Sequence, residues 1–331
     1  MNISVLGDGA WGSAVANLLY QNKQNVKLWG PFSDYIEEMN RTRINSRFLP
    51  SYSFPEEIEL TSDLSVAVKN ADILIFALPT QYQRELIIKL KNLYKKNQII
   101  INIAKGIENE SLERLSELTA EILGDVKYAV LSGPSHAEEV IKGSPTAVVV
   151  GCKDEKIGKI IQSIFINDFF RVYYSSDTVG VELGGALKNV FAIAAGIADG
   201  MKLGDNSKAA LVTRSIAEMS RLGKALNGKY ETFSGLSGIG DMIVTCFSKH
   251  SRNRHVGEKL GQGYTLEQIL KEMGMVVAEG VKTTKSAYKL AEKINIEVPI
   301  INELYSTLYA DKTPYDCIKD LMSRSAKPEI Y

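Results

Sequence analysis

Four groups of residues in this chain have the types and spacing that chemistry needs. The first is Gly7-Asp8-Gly9-Ala10-Trp11-Gly12, a G-x-G-x-x-G run between an apolar stretch at residues 3–6 and a helical stretch at 13–19. In that order Gly7 permits a tight turn, Gly9 leaves room for a pyrophosphate against bare backbone, and Gly12 lets the helix pack closely on the strand. The phosphates would face unpaired N–H groups at a helix N-terminus, where the macrodipole favours negative charge. A glycine-rich turn without a ligand is the plainer alternative. The second group centres on Lys188, inside a segment at 182–196 that is apolar on nearly every side of a helix. Burial penalises a charged amine and draws its pKa toward neutrality, which suits an acid/base catalyst. The alternative is a lysine whose stem packs while its head reaches water.

Asp241 and Thr245 form the third group, four residues apart and therefore on one helical face. The fourth, Ser251-Arg252-Asn253, bunches a hydroxyl, a guanidinium and an amide where a helix starts, a suitable clamp for a phosphate. Solvated surface charge is the plainer account of Arg252 and Arg254. No metal is expected, because His136, His250 and His255 lack a ligand spacing with acids or cysteines.

The elements that must carry these groups fall into two halves. Strand-length apolar runs stand at 3–6, 26–29, 73–78, 99–103, 128–131, 147–150 and 170–174, with helical stretches at 65–70, 81–93 and 111–123 between several of them. Such alternation predicts an α/β fold, a Rossmann-type, mostly parallel sheet with helices on both faces. From about residue 179 strand signals fade, and 182–198, 207–226, 252–261, 266–273, 283–294 and 302–310 read as helix. The expectation is a dinucleotide-binding domain over 1–178 and an all-helical substrate domain over 179–331, with a loose tail after Met322.

Composition narrows the function classes. Acids and bases balance at 39 each, so nothing points to nucleic acid or an anionic membrane. Cys152, Cys246 and Cys317 are odd in number and widely spaced, which fits a reducing cytoplasm. No signal peptide is expected, since residue 1 leads straight into an expected core strand, and no membrane span is expected of the short apolar stretch at 190–198.

The chain resembles, over essentially its full length, the NAD(P)-dependent glycerol-3-phosphate dehydrogenases of bacterial type. The matching pieces include Gly7-Asp8-Gly9-Ala10-Trp11-Gly12, Ala77-Leu78-Pro79-Thr80-Gln81, Ala104-Lys105-Gly106, Ser132-Gly133-Pro134-Ser135-His136-Ala137, Gly184-Gly185-Ala186-Leu187-Lys188-Asn189, Gly240-Asp241, Ser251-Arg252-Asn253-Arg254 and Val277-Ala278-Glu279-Gly280. The resemblance implies that Lys188 is the acid/base, that Lys105 contacts substrate and cofactor, and that Gly133, Ser135, Asp241, Ser251, Arg252 and Asn253 line glycerol phosphate. It also implies that the dinucleotide lies against Ala10, Trp11, Lys105, Ala137, Arg252, Val277 and Glu279, beside Gly7, Gly9 and Gly12. Two departures stand out: Ala10 replaces a common serine, and Pro31 replaces a common arginine or histidine.

The expected reaction is reversible reduction of dihydroxyacetone phosphate to sn-glycerol 3-phosphate, with Lys188 protonating the carbonyl oxygen, Asp241 holding Lys188 and Lys105 adding positive charge. The product would supply glycerophospholipid synthesis. NAD and NADP are both open as cofactor: Val26-Lys27-Leu28-Trp29 is followed by Gly30-Pro31-Phe32, Asp34 comes several residues late, and no arginine stands there. The rivals are a β-hydroxyacid or ketopantoate-type reductase and a dinucleotide-sensing protein without turnover. The expected partners are small molecules, with neither nucleic acid nor membrane insertion, and a homodimer is a further expectation.

Overall fold

The computed structural model describes residues 1–274, 277–326, 328 and 329. Its strands are β1 (Asn2–Leu6), β2 (Asn25–Trp29), β3 (Ile44–Asn45), β4 (Leu49–Ser53), β5 (Glu59–Thr61), β6 (Ile73–Phe76), β7 (Ile99–Asn102), β8 (Lys127–Ser132), β9 (Thr146–Gly151) and β10 (Phe170–Ser175). Eight of them form one sheet in the order β10-β9-β8-β7-β6-β1-β2-β5, and β3 pairs with β4 alone. Neighbours run parallel except β8 and β9, where Val130 faces Gly151 in antiparallel register. The mostly parallel Rossmann-type sheet expected from the alternation is therefore present. The short strands β3, β4 and β5 were not foreseen; β4 reads Leu49-Pro50-Ser51-Tyr52-Ser53, which carries little apolar alternation.

The helices of this half are α1 (Ala10–Gln21), α2 (Ser33–Thr42), α3 (Leu64–Val68), α4 (Gln83–Leu90), α5 (Leu115–Leu123), α6 (Ala137–Val140) and α7 (Glu155–Phe165). Alternate strand residues point to opposite faces. Ile3, Val5, Ile73, Ile75, Ile99 and Ile101 join one core with α1, α2 and α7, whereas Leu6, Leu74, Phe76 and Ile100 join a second with α3, α4 and α5. A sheet buried on both faces explains why its strands read as unbroken apolar runs.

After Ser175 the described chain is helical: α8 (Thr178–Gly200), α9 (Asp205–Ala225), α10 (Tyr230–Phe233), α11 (Asp241–Phe247), α12 (Arg252–Gly261), α13 (Leu266–Met273), α14 (Glu279–Lys293), α15 (Pro299–Tyr309) and α16 (Pro314–Met322). Asp177 caps α8, its carboxylate accepting the Gly180 N–H at 2.9 Å, so the change of architecture falls where the strand signals fade. At 23 residues α8 is long and apolar enough to cross a membrane, contrary to the expectation from its shorter apolar stretch. The apolar window is 94% buried inside the protein, so α8 is the core helix of the second half. α12 reaches it through glycines: a Cβ on Gly196 would overlap the Arg254 carbonyl, and one on Gly257 would overlap that of Ile193. The described part of the tail is tied down, since Arg324 pairs with Glu297 and the Glu329 carbonyl accepts from Arg214 at 3.2 Å.

Candidate active site

The groups singled out in the first half lie just past the carboxyl ends of strands: Gly7 after β1, Lys105 after β7, and Gly133, Ser135 and Ala137 after β8. That edge is where ligands bind open α/β sheets. α8 meets it with Lys188, which is 6% exposed. Lys188 Nζ donates to Thr245 Oγ1 at 2.8 Å and stands 3.0 Å from Asp241 Oδ1, so its head does not reach out to water. The second carboxylate oxygen, Asp241 Oδ2, pairs with Lys105 Nζ at 2.7 Å. Lys105 Nζ also donates to the Gly133 carbonyl at 2.9 Å, which accepts the Ser135 hydroxyl at 2.8 Å.

A π-helical turn at Leu236–Gly240 runs directly into α11 and makes Asp241 its first residue. Such turns recur at functional sites because they re-aim the chain by one residue. Thr245, one helical turn later, donates its hydroxyl to the Asp241 carbonyl at 2.6 Å and so presents a lone pair to Lys188. Burial draws the Lys188 ammonium below the ordinary lysine range; Asp241 opposes that pull and the positive charge of Lys105 adds to it. Burial pushes the Asp241 carboxyl up, but the two lysines outweigh it and hold the group below the usual carboxylate range.

The Ser251-Arg252-Asn253 group divides. Ser251 caps α12, its hydroxyl accepting the Arg254 N–H at 3.1 Å. Asn253 is a strut: its amide donates to Asn189 Oδ1 at 2.9 Å and its oxygen accepts the Gly280 N–H at 2.9 Å. Asn189 in turn donates to the Lys105 carbonyl at 2.9 Å, so the residue after Lys188 fixes the loop that carries the second lysine. Arg254 turns to Asp199, with Nε 2.6 Å from Oδ2. The Arg252 side chain makes no hydrogen bond or ion pair with the described residues, so its guanidinium donors are all free.

At the glycine turn Gly7 has φ +139°, and a Cβ there would stand 2.7 Å from the Ala77 carbonyl carbon. A Cβ on Gly12 would overlap the Gly7 carbonyl, whereas one on Gly9 would meet nothing within 4 Å. α1 begins without a side-chain cap, and the Trp11 Nε1–H is buried without a partner. Ala10 and Ala137 pack together with Trp11 and Phe48 along the same side. Open space over Gly9, uncapped first-turn N–H groups and a spare indole donor suit a dinucleotide pyrophosphate. Val277 leads into α14, where Glu279 Oε1 accepts the Thr80 N–H at 2.8 Å and its hydroxyl at 3.0 Å, tying the helical half to the loop after β6. Burial pushes the Glu279 carboxyl up against these two donors.

His136, weighed from sequence only as a metal ligand, sits at the site with a buried, unpartnered Nε2. Burial, with the charges of Lys188 and Lys105, holds its imidazole below the ordinary histidine range. The conspicuous cavity, about 910 Å³, lies elsewhere, among α8, α9, α15 and α16, and is lined by Ile197, roughly half a turn round α8 from Lys188. There Glu218 accepts the Ile300 and Ile301 N–H groups at 2.9 and 2.8 Å as the cap of α15.

Family models for the N-terminus and the C-terminus of NAD-dependent glycerol-3-phosphate dehydrogenase match residues 2–158 and 177–319. The chain is 49% identical to glycerol-3-phosphate dehydrogenase [NAD(P)+] of Carboxydothermus hydrogenoformans, covering 100% of this chain and 98% of that protein. It is 48% identical to the protein of the same description from Fusobacterium nucleatum, over 100% of this chain and 99% of the other. The crystal structure of glycerol-3-phosphate dehydrogenase from Coxiella burnetii superposes with a TM-score of 0.95 at 37% identity, covering 98% of this chain and 99% of that one. The chain belongs to the NAD-dependent glycerol-3-phosphate dehydrogenase family.

Proposed function

We propose that this chain reversibly reduces dihydroxyacetone phosphate to sn-glycerol 3-phosphate with NAD(P)H, the product feeding glycerophospholipid synthesis. The observation that carries the reading is one buried carboxylate, Asp241, holding the lysine heads of Lys188 and Lys105 at 3.0 and 2.7 Å. Residues 1–178 serve as the dinucleotide domain, with Gly7, Gly9, Ala10, Trp11, Gly12, Ala137, Val277 and Glu279 along the cofactor. Residues 179–331 supply the acid/base and the phosphate grip. The balanced charge and buried free cysteines support a cytoplasmic enzyme, and a homodimer is proposed on the family resemblance alone.

A bound dihydronicotinamide supplies hydride to the ketone carbon. Lys188 Nζ donates its proton to the carbonyl oxygen as negative charge develops there, and water returns a proton to the amine. Asp241 and Thr245 fix the direction of that amine before substrate arrives. Lys105 brings a second positive charge to the same oxygen, held in place by the Gly133 carbonyl. Arg252 grips the non-reacting phosphate with its free guanidinium, so binding energy remote from the reaction positions the ketone. Ser251 and Asn253 set the start of α12 that aims it.

The test is triose-phosphate-dependent loss of dihydronicotinamide absorbance, with ketopantoate run in parallel. Oxidation with dihydroxyacetone phosphate and none with ketopantoate is the expected result. Oxidation with the carboxylate substrate alone, or with neither by protein that binds the dinucleotide, would overturn the reading.

A further inference from the structure

Rossmann-type sites that prefer NAD carry an acid at the end of the second strand, where it accepts from the ribose 2′-OH. Here β2 ends at Trp29 and continues Gly30-Pro31-Phe32, without one. An acid nonetheless occupies the place. A Cβ on Gly30 would stand 2.6 Å from Asp8 Oδ2 and 2.7 Å from Asp8 Cγ, so the Asp8 carboxyl lies against the bare backbone of Gly30. It arrives from the neighbouring turn, as the second residue of the G-x-G-x-x-G run.

Asp8 is 5% exposed, and its Oδ2 is buried with no hydrogen-bond partner. Buried polar atoms are rarely left so, and at the mouth of a ligand site a ligand donor can supply the missing partner. The backbone of this residue is held in place. Its backbone carbonyl accepts from Asn45 Nδ2 at 2.6 Å and Ser13 Oγ at 3.5 Å, and Asn45 is held by the Tyr35 hydroxyl at 2.6 Å. Burial pushes the Asp8 carboxyl up, and its own backbone N–H, then the Arg47 guanidinium 3.9 Å over the Tyr35 ring, partly offset that rise.

We propose that Asp8 stands in for the missing acid of β2, accepting the ribose 2′-OH of NAD and repelling the 2′-phosphate of NADP, so that this chain prefers NADH. The proposal rests on the dinucleotide site of the proposed function. A 2′-phosphate would bring like charge against a buried oxygen that has no donor to give it, a combination that discriminates by repulsion as well as by lost attraction.

The experiment is calorimetric titration with ADP-ribose and 2′-phospho-ADP-ribose, which carry the adenosine end without the nicotinamide. Wild type binds ADP-ribose about tenfold or more tighter than its 2′-phosphate, and Asp8→Asn, of the same shape, closes that gap by about tenfold or more. Equal affinity of wild type for the two fragments overturns the proposal whether or not the variant folds. Asp8→Asn weakening both fragments by the same factor overturns it too, because a merely structural role lowers both alike. Wild type that binds neither fragment nor NADH overturns the dinucleotide site itself, and the proposed function with it.

Discussion

Around Asp241 the charged atoms have found partners within the chain, whereas along Gly7–Gly12 two buried side-chain atoms have not. Lys188 and Lys105 pair with one carboxylate at 3.0 and 2.7 Å, and Thr245 and Gly133 accept from the same two ammonium groups at 2.8 and 2.9 Å. At the glycine turn α1 starts uncapped, Trp11 Nε1 and Asp8 Oδ2 are buried without partners, and Gly9 faces open space. The first region is built to hold a proton in a set direction before any ligand arrives. The second leaves its hydrogen-bonding capacity to the ligand, which makes binding strong at the cost of unsatisfied groups in the free protein. Removing a partner should therefore cost turnover in one region and affinity in the other.

The largest effect is expected at Lys188. Lys188→Ala should lower kcat by roughly 10²–10⁴-fold while NADH affinity in fluorescence titration stays nearly unchanged, since no part of that cluster belongs to the glycine turn. Comparable turnover in the variant would break the comparison at its stronger end. Arg252→Ala should raise KM for dihydroxyacetone phosphate by roughly tenfold or more, the loss of a charge-assisted grip. Steady-state kinetics with an unchanged KM would move the phosphate elsewhere. Gly9→Ala sharpens the other side. Gly9 has φ −66°, which alanine adopts freely, and its Cβ meets no protein atom, so the unfolding temperature should not move. The methyl fills the space reserved for pyrophosphate, and dinucleotide affinity should fall by about tenfold. Undiminished affinity would show that the phosphates lie elsewhere.

Much of this division was readable in the chain. The glycine spacing and its place between strand and helix pointed to the open site, and an ionisable residue in the unbroken apolar run of α8 pointed to the closed one. α7 lies outside the helices expected from sequence, although Asp154 caps a stretch in which Ile157, Ile161 and Ile164 recur at helical spacing. Other features depend on contacts between distant segments. The residues after β2 show no acid, yet the Asp8 carboxyl reaches Gly30 from a different loop. Ser251 and Asn253 read as ligand-binding groups beside Arg252, and only the fold shows that each also has a second duty, as a cap and as a strut. Asn189 carries no signal of its own beyond its neighbour, and only the packing of α8 on the β7 loop reveals its hold on Lys105. Short apolar runs likewise understate α8, whose glycines and alanines extend a buried helix well past its bulkier residues.

The central claim is that the proton affinity of Lys188 is set by burial, Lys105 and Asp241 before substrate or cofactor binds. It is tested most directly by titrating the Lys188 side-chain amine in ligand-free protein by nitrogen NMR, with Asp241→Asn as the comparison. The amine should titrate below the ordinary lysine value of 10.5. Because Asp241 raises that value, Asp241→Asn should lower it further, and the alkaline limb of kcat/KM for ketone reduction should move to lower pH with it. A Lys188 amine that titrates as an ordinary lysine and ignores Asp241→Asn would contradict the account.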